Sequence, residues 1–314
     1  MIPGNIVIGS RASKLAMVQA RYIGDLISRY FPGIKVEIKP IKTTGDKILD
    51  AALSRIGGKG LFTKEIEDEL LSGGIDLAVH SLKDLPTELP EGLAIGAVPK
   101  REDPRDVLVS DKASTIGALP KGAKVGTSSL RRKAQLLNLR EDLTVLDLRG
   151  NVETRVAKLK SGAYDAIILA SAGIKRLGLD LERSEISVEE ILPQAGQGAL
   201  GIEIRSDAFS VRDLVIVLDD ADSRLAVTAE RALLNGLEGG CQVPVGVYAG
   251  IAGDRIDIRA GIFSLDGRDS EKAGIEGPKK EARELGEALA RKILEIGSAR
   301  RLLDEFKKMR FDKG

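Results

Sequence analysis

Lys124-Val125-Gly126-Thr127-Ser128-Ser129-Leu130-Arg131-Arg132-Lys133-Ala134-Gln135-Leu136-Leu137-Asn138-Leu139 is the stretch whose pattern decides the fold. A short segment, 124–126, runs into three consecutive hydroxyl residues and then into apolar positions at helical spacing. That order predicts a strand, a tight turn and a helix over 129–139. The unit recurs on both sides. Upstream, a strand over 6–9 precedes a helix from 13 to 30, with Leu15, Val18, Tyr22, Leu26 and Tyr30 expected on its apolar face. Val36, Ile38 and Ile41 mark a second strand, 62–71 a helix stopped by Gly73-Gly74, and 75–79 and 93–98 further strands. Downstream, strands over 106–109, 144–148, 166–169 and 200–204 alternate with helices over 152–160 and 172–177. Such alternation predicts an α/β chain of largely parallel sheets with helices on both faces. Ligands in such folds sit at the carboxyl ends of the strands.

The last third reads differently. A helix over 223–237 leads to Gly239-Gly240-Cys241-Gln242, after which 243–249, 255–263 and 271–275 alternate between Gly- and Asp-containing turns. That is an antiparallel meander, covered by a helix over 279–296, and it predicts a separate small α+β domain. At 314 residues the chain is long enough for two or three domains.

Composition removes several classes. The longest apolar runs are far shorter than the roughly 20 residues of a membrane-spanning helix. The first residues carry no cationic leader or apolar signal, so a cytoplasmic chain is expected. One cysteine makes no internal disulfide, and one cysteine with one histidine excludes the usual zinc ligand sets. Net charge is +1, yet residues 125–176 hold ten Lys/Arg against five Asp/Glu. Trp is absent and Phe and Tyr are few, which argues against the stacking surfaces of single-strand nucleic-acid binders.

The cations sit where helices disfavour them. A helix N-terminus is positive, and Lys or Arg there is mildly unfavourable. Yet Arg11 and Lys14, Arg131 and Arg132, Arg149 with Arg155, and Lys175 with Arg176 all follow strand ends. One such turn is an ordinary solvated surface. Four of one type point to an anion site, in which helix N–H groups, hydroxyls and guanidinium groups converge on carboxylate or phosphate oxygens. Spacing does not choose between those two anions. Gly57-Gly58-Lys59-Gly60 is not a P-loop, since no Ser or Thr follows the lysine. Asp84, just past a strand end, suits a turn ahead of Pro86, or a carboxylate that stabilises a developing cation. His80 reads as a packed core residue. Cys241 is either an inert buried thiol or, in its loop after two glycines, a site of covalent chemistry.

Taken together, the chain resembles the porphobilinogen deaminase (hydroxymethylbilane synthase) family almost end to end. The likeness rests on Gly9-Ser10-Arg11-Ala12-Ser13, Thr43-Thr44-Gly45-Asp46, Gly57-Gly58-Lys59-Gly60-Leu61-Phe62, His80-Ser81-Leu82-Lys83-Asp84-Leu85-Pro86 and Arg101-Glu102-Asp103-Pro104-Arg105-Asp106. It continues through Gly126-Thr127-Ser128-Ser129-Leu130-Arg131-Arg132, Leu148-Arg149-Gly150-Asn151, Gly196-Gln197-Gly198 and Gly239-Gly240-Cys241-Gln242-Val243-Pro244.

The resemblance implies two lobes like those of type II periplasmic binding proteins, at 1–99 with 200–217 and at 105–193, and a third domain at 222–314. It implies a transferase that joins four porphobilinogen units head to tail, with loss of ammonia, onto a dipyrromethane cofactor held by a thioether to Cys241, and then releases hydroxymethylbilane by hydrolysis. It implies that Asp84 is catalytic, facing pyrrole N–H groups and the cation formed as ammonia leaves. The acetate and propionate groups would be held by Arg11, Ser13, Ser81, Lys83, Thr127, Ser128, Ser129, Arg131, Arg132, Arg149, Gly150, Arg155, Gly173, Arg176 and Gln197. Lys59 and Phe62 would lie on a covering loop. No metal, nucleic acid or membrane partner is implied, and a monomer is expected. Lys14 stands where the family often has Pro, and residues 218–223 match less well. The rival expectations are a non-enzymatic binder of a small anion, which needs neither Cys241 nor Asp84, and a nucleic-acid module using the cationic tail 300–310.

Overall fold

The computed structural model describes residues 3–47, 60–237 and 244–311. The chain forms two compact units, Met1–Glu102 with Gly198–Arg224, and Asp103–Gln197 with Leu225–Gly314.

In the first unit β1 (Asn5–Arg11) leads through the turn at Ser13 into α1 (Lys14–Tyr30), followed by β2 (Lys35–Ile41), α2 (Thr44–Lys47), α3 (Lys64–Leu71), β3 (Leu77–Ser81) and β4 (Leu93–Ala97). Ser13 caps α1 by accepting the Ala16 N–H. The buried face of α1 is Ala16, Gln19, Ala20, Ile23, Gly24 and Ile27, not the expected stripe of Leu15, Val18, Tyr22, Leu26 and Tyr30. Tyr22 and Tyr30 are exposed. The helix carries two apolar stripes, and the one with small residues wins because it lets the helix approach the sheet. A Cβ at Gly24 would stand only 3.1 Å from Val36 Cγ1.

The chain returns to this unit for β10 (Leu200–Arg205), which lies between β3 and β4 in a sheet ordered β2-β1-β3-β10-β4. β1 runs parallel to β2 and β3, whereas β10 is antiparallel to β3 and β4. The sheet is therefore mixed rather than largely parallel. Helices cover both faces: α1 packs over Ile6, Ile8, Val79 and Ile202, and α3 packs through Ile66 and Leu70 over Ala78.

In the second unit β5 (Asp106–Val109), β6 (Lys124–Gly126), α4 (Leu130–Leu139), β7 (Thr144–Leu146), α5 (Val152–Lys160), β8 (Ala166–Ala170), α6 (Ser171–Leu177) and the short β9 (Ser184–Glu185) build a sheet ordered β7-β6-β8-β5-β9. Again three strands run parallel, and the fourth in the row, β5, is antiparallel to both neighbours. The two sheets share one plan, a duplication that no repeat in the sequence announces.

After α7 (Phe209–Val215) and α8 (Ala221–Gly236) come β11 (Val245–Ala252), β12 (Arg255–Phe263) and β13 (Ser270–Pro278), an antiparallel meander, then α9 (Ala282–Glu295) and α10 (Gly297–Phe311). Val247, Ile256, Ile258 and Ile262 of the meander share a core with Leu233, Leu289 and Leu303 of the helices. The cationic tail expected over 300–310 is thus a docked amphipathic helix, burying Ala299, Leu302 and Leu303. α2, α7, β9 and α10 had no counterpart among the expected elements. Among the described residues no helix is long and apolar enough to cross a membrane, and no group of three or more His, Cys, Asp and Glu is placed to hold a metal ion.

Candidate functional site

In the first unit, Arg11, Ser13, Phe62, Ser81 and Asp84 line one pocket together with Gln19, Thr63 and His80. β1 and β3 are neighbouring parallel strands, so the residues just past their carboxyl ends meet. Asp84 closes the 3-10 turn Leu82–Asp84 that follows β3, and is exposed at the pocket. Lys83 precedes it on the same turn. Ser81 is held from α1, whose Gln19 Nε2 donates to its Oγ at 2.9 Å. Gln19 was not singled out beforehand, because the stripe of α1 that is buried is not the one its larger apolar residues predict.

Arg11 is positioned by Asp46, which its motif contained without a role, and by Phe62, which was expected on a covering loop. Its Nη2 is 2.5 Å from Asp46 Oδ1, and its guanidinium lies over the Phe62 ring, 4.1 Å from the centroid. Burial opposes ionisation of Asp46, but the Arg11 pair and the Thr43 hydrogen bonds outweigh it and hold the carboxyl below its ordinary value. Gly45 makes room for the ring, since a Cβ there would lie 2.2 Å from Phe62 Cε1.

In the second unit the turns are partly self-satisfied. Thr127 Oγ1 accepts from Ser129 N, Ser129 Oγ accepts from Arg132 N, and Ser128 Oγ donates to Leu148 O. Arg131 and Arg132 are buried and share one carboxylate that the sequence reading missed: Asp106 Oδ2 is 2.8 Å from Arg131 Nη2, and Asp106 Oδ1 is 2.7 Å from Arg132 Nη2. Gln197 Nε2 donates to Asp106 Oδ1 at 2.8 Å and to Pro104 O at 2.7 Å. Burial works against the Asp106 charge, but the two guanidinium groups prevail and hold its carboxyl well below the usual range. Two cations against one carboxylate leave the cluster positive. A carboxylate opening an otherwise apolar strand was the available signal.

Arg155 is half-buried on α5, with its Nε donating to Gly150 O at 2.8 Å. Burial, then the like charge of Arg132, pull its pKa down to about 10, and a bound anion would relieve both effects. Arg149 Nη2 lies 3.8 Å from Asp147 Oδ2. Asn151 caps α5 by accepting Thr154 N. The fourth turn differs from expectation. α6 begins at Ser171 without a side-chain cap and is so short that Lys175 and Arg176 fall in its last turn, where cations are favourable. Gly173 lies within that helix. Lys59 and Cys241 lie outside the described residues.

Comparison with known proteins gives a consistent result. A family model described as porphobilinogen deaminase, dipyromethane cofactor binding domain, matches residues 6–213. A second, described as the C-terminal domain of porphobilinogen deaminase, matches 224–295. A porphobilinogen deaminase of Syntrophomonas wolfei is 53% identical over 296 residues, covering 94% of this chain and 97% of that protein. One of Syntrophobacter fumaroxidans is 49% identical over 301 residues, covering 96% and 97%. Among solved structures, the methionine binding protein MetQ overlaps 68% of this chain and 89% of that one at a TM-score of 0.43 and 15% identity.

Proposed function

The chain belongs to the porphobilinogen deaminase family, and we propose that it builds its product on a dipyrromethane joined by a thioether to Cys241. It is a transferase of tetrapyrrole biosynthesis: four porphobilinogen molecules are joined head to tail with loss of ammonia, and hydroxymethylbilane is released by hydrolysis.

The donor set suits a polycarboxylate. The Nε atoms of Arg11, Arg131 and Arg132 are buried without a hydrogen-bond partner. A group bearing acetates and propionates supplies acceptors for such forks. When bound, the dipyrromethane supplies the pyrrole carbon onto which the units are joined. Arg11, Ser13, Ser81 and Lys83 hold carboxylates beside Asp84. In the second unit Thr127, Ser128, Ser129, Arg132, Arg149, Gly150, Arg155, Gly173 and Arg176 suit anions of the same kind, while Arg131 and Gln197 hold Asp106 and the positive cluster in place. Asp84 accepts hydrogen bonds from pyrrole N–H groups and offsets the positive charge that develops on porphobilinogen as ammonia leaves. The observation that carries this reading is the pocket in which Asp84 stands with Arg11. A non-enzymatic binder of a small anion has a use for the oriented guanidinium but none for an exposed carboxylate beside it. We assign residues 222–314 as a domain of their own, and a cytoplasmic monomer as the working state.

The test is the intact mass. The purified protein should be heavier than its sequence by a dipyrrole, and Cys241→Ser should lack both that mass and turnover of porphobilinogen. An unmodified, fully active protein overturns the thioether assignment. A loaded protein that forms no product overturns the assigned reaction.

A further inference from the structure

His80, the single histidine of the chain, sits near the end of β3. It shares a strand face with Ala78, and the β10 residue paired with Ala78 is Glu203. The two side chains meet: His80 Nε2 is 3.0 Å from Glu203 Oε2, at 5% and 0% exposure. Neither carboxyl oxygen of Glu203 nor His80 Nε2 has a partner in full hydrogen-bond geometry, so the 3.0 Å approach between them is the polar contact that these buried atoms have. Glu67 of α3 borders the pair. Burial pushes its carboxyl up, and the Glu203 charge adds to that, while Thr63 and His80 oppose it. His80 is also among the residues that line the pocket holding Asp84, Arg11 and Ser81.

A carboxylate only accepts, so the ring nitrogen facing Glu203 is the one that carries the proton. In a neutral imidazole the other nitrogen is then an acceptor. We propose that His80 is a further residue of the reaction described above: Glu203 fixes Nε2 as the protonated nitrogen, and Nδ1 is offered to the pocket as a neutral acceptor for a pyrrole N–H. The inference rests on the pocket being where porphobilinogen reacts. Pyrrole rings bring one N–H donor each, and joining two rings brings two. Asp84 answers one with a charge. A neutral acceptor beside it answers a second without placing two anions side by side, which would raise the affinity of one for a proton. As positive charge develops on the ring its N–H becomes a stronger donor, so the contact tightens toward the transition state. The carboxylate behind the imidazole makes Nδ1 the better acceptor, as it does for histidines that bind metals. Glu203 is on this account a positioning residue.

A single histidine makes the test direct. In the nitrogen-15-labelled holoenzyme, imidazole nitrogen shifts report the tautomer of His80 without ambiguity. The expected result is the Nε2–H tautomer, with the Nδ1 resonance moving when porphobilinogen is added. In Glu203→Leu the tautomer preference should be lost and kcat should fall about tenfold or more, with KM within about twofold, as for loss of an aligned catalytic acceptor. An Nδ1–H tautomer in the wild type, an Nδ1 resonance indifferent to porphobilinogen, or a folded Glu203→Leu with full kcat each overturns the proposal. Should Glu203→Leu not fold, the two wild-type measurements decide alone. A wild-type protein that makes no product from porphobilinogen fails the reaction itself. One that turns over but shows the wrong tautomer fails only the role of His80.

Discussion

Asp106 carries two guanidinium groups at once, and its fate measures what the second unit invests in positive charge. Removing a partner from a buried ion cluster leaves the rest uncompensated, at a cost of about 3–5 kcal/mol. Asp106→Asn should therefore lower the unfolding free energy by about that amount in denaturant titrations, since Arg131 and Arg132 would then repel each other without relief. The pH dependence has a definite sign. The folded carboxyl ionises well below its ordinary value, so the folded state binds fewer protons than the unfolded chain in the acid range. The contribution is complete above the unfolded value of about 4 and drains away as pH falls below it. The wild type should lose stability steeply below that point, and Asp106→Asn less so. Equal slopes would remove Asp106 from the acid response. Cations beside a strand end were legible in the sequence, and Asp106 stood out as a carboxylate opening an apolar strand; their pairing was not legible, because Asp106 is separated from Arg131 by 25 positions and only the fold brings them together.

The strand-turn-helix units were readable wherever a cap and a periodic helix coincide. α5 spans the expected residues, with Asn151 as its cap. Reading failed where two faces competed, as on α1, or where a helix was too short to show a period, as for α7; α6 lies within a residue of the expected span, but its shortness puts Lys175 and Arg176 in the last turn rather than the first. The turn before α5 also shows how an element constrains the site. Gly150 has φ +110°, and a Cβ there would stand 2.7 Å from Thr154 Cγ2. Thr154 is bonded by both N and Oγ1 to Asn151 Oδ1 at 2.8 Å. Gly150→Ala thus strains the backbone and pushes on the cap together, and should cost about 1–3 kcal/mol. Adding Thr154→Ala removes Cγ2 but keeps the residue-154 Cβ, 2.8 Å from the added methyl, so it should recover only part of the steric cost and leave the backbone penalty of about 1 kcal/mol. A double variant no more stable than the single one would show that the clash is not the cause.

Over the whole molecule, contacts distant in sequence decide which pieces fold. The α/β alternation announced two layered lobes, but it could not announce that each sheet is completed by a strand inserted antiparallel as the fourth in its row. That insertion depends on pairing over long chain separations, for which local periodicity carries no signal. In the first unit the consequence is sharp. β10 pairs on one side with β3, Leu200 opposite Ser81 and Ile204 opposite Leu77, and on the other with β4, Ile202 opposite Ala97. Without it, β3 and β4 have no partner between them, and Ile202 and Ile204 are missing from the core formed by Ile6, Ile8 and Leu77. Each of those isoleucines, fully buried, is worth about 1.5–3 kcal/mol, against a typical total stability of about 5–15 kcal/mol. A fragment ending at Glu102 should therefore show no cooperative denaturant transition and should be digested rapidly by protease, although it contains β1 to β4 and every residue that lines the Asp84 pocket. The intact chain should protect the β10 amides among its slowest in hydrogen exchange, because they open only when the first unit unfolds. A sharp unfolding transition in the fragment, or fast exchange at Ile202 and Ile204 in the full chain, would mean that the Asp84 pocket is organised by its local strands rather than by the strand returned to it from residue 200 onward.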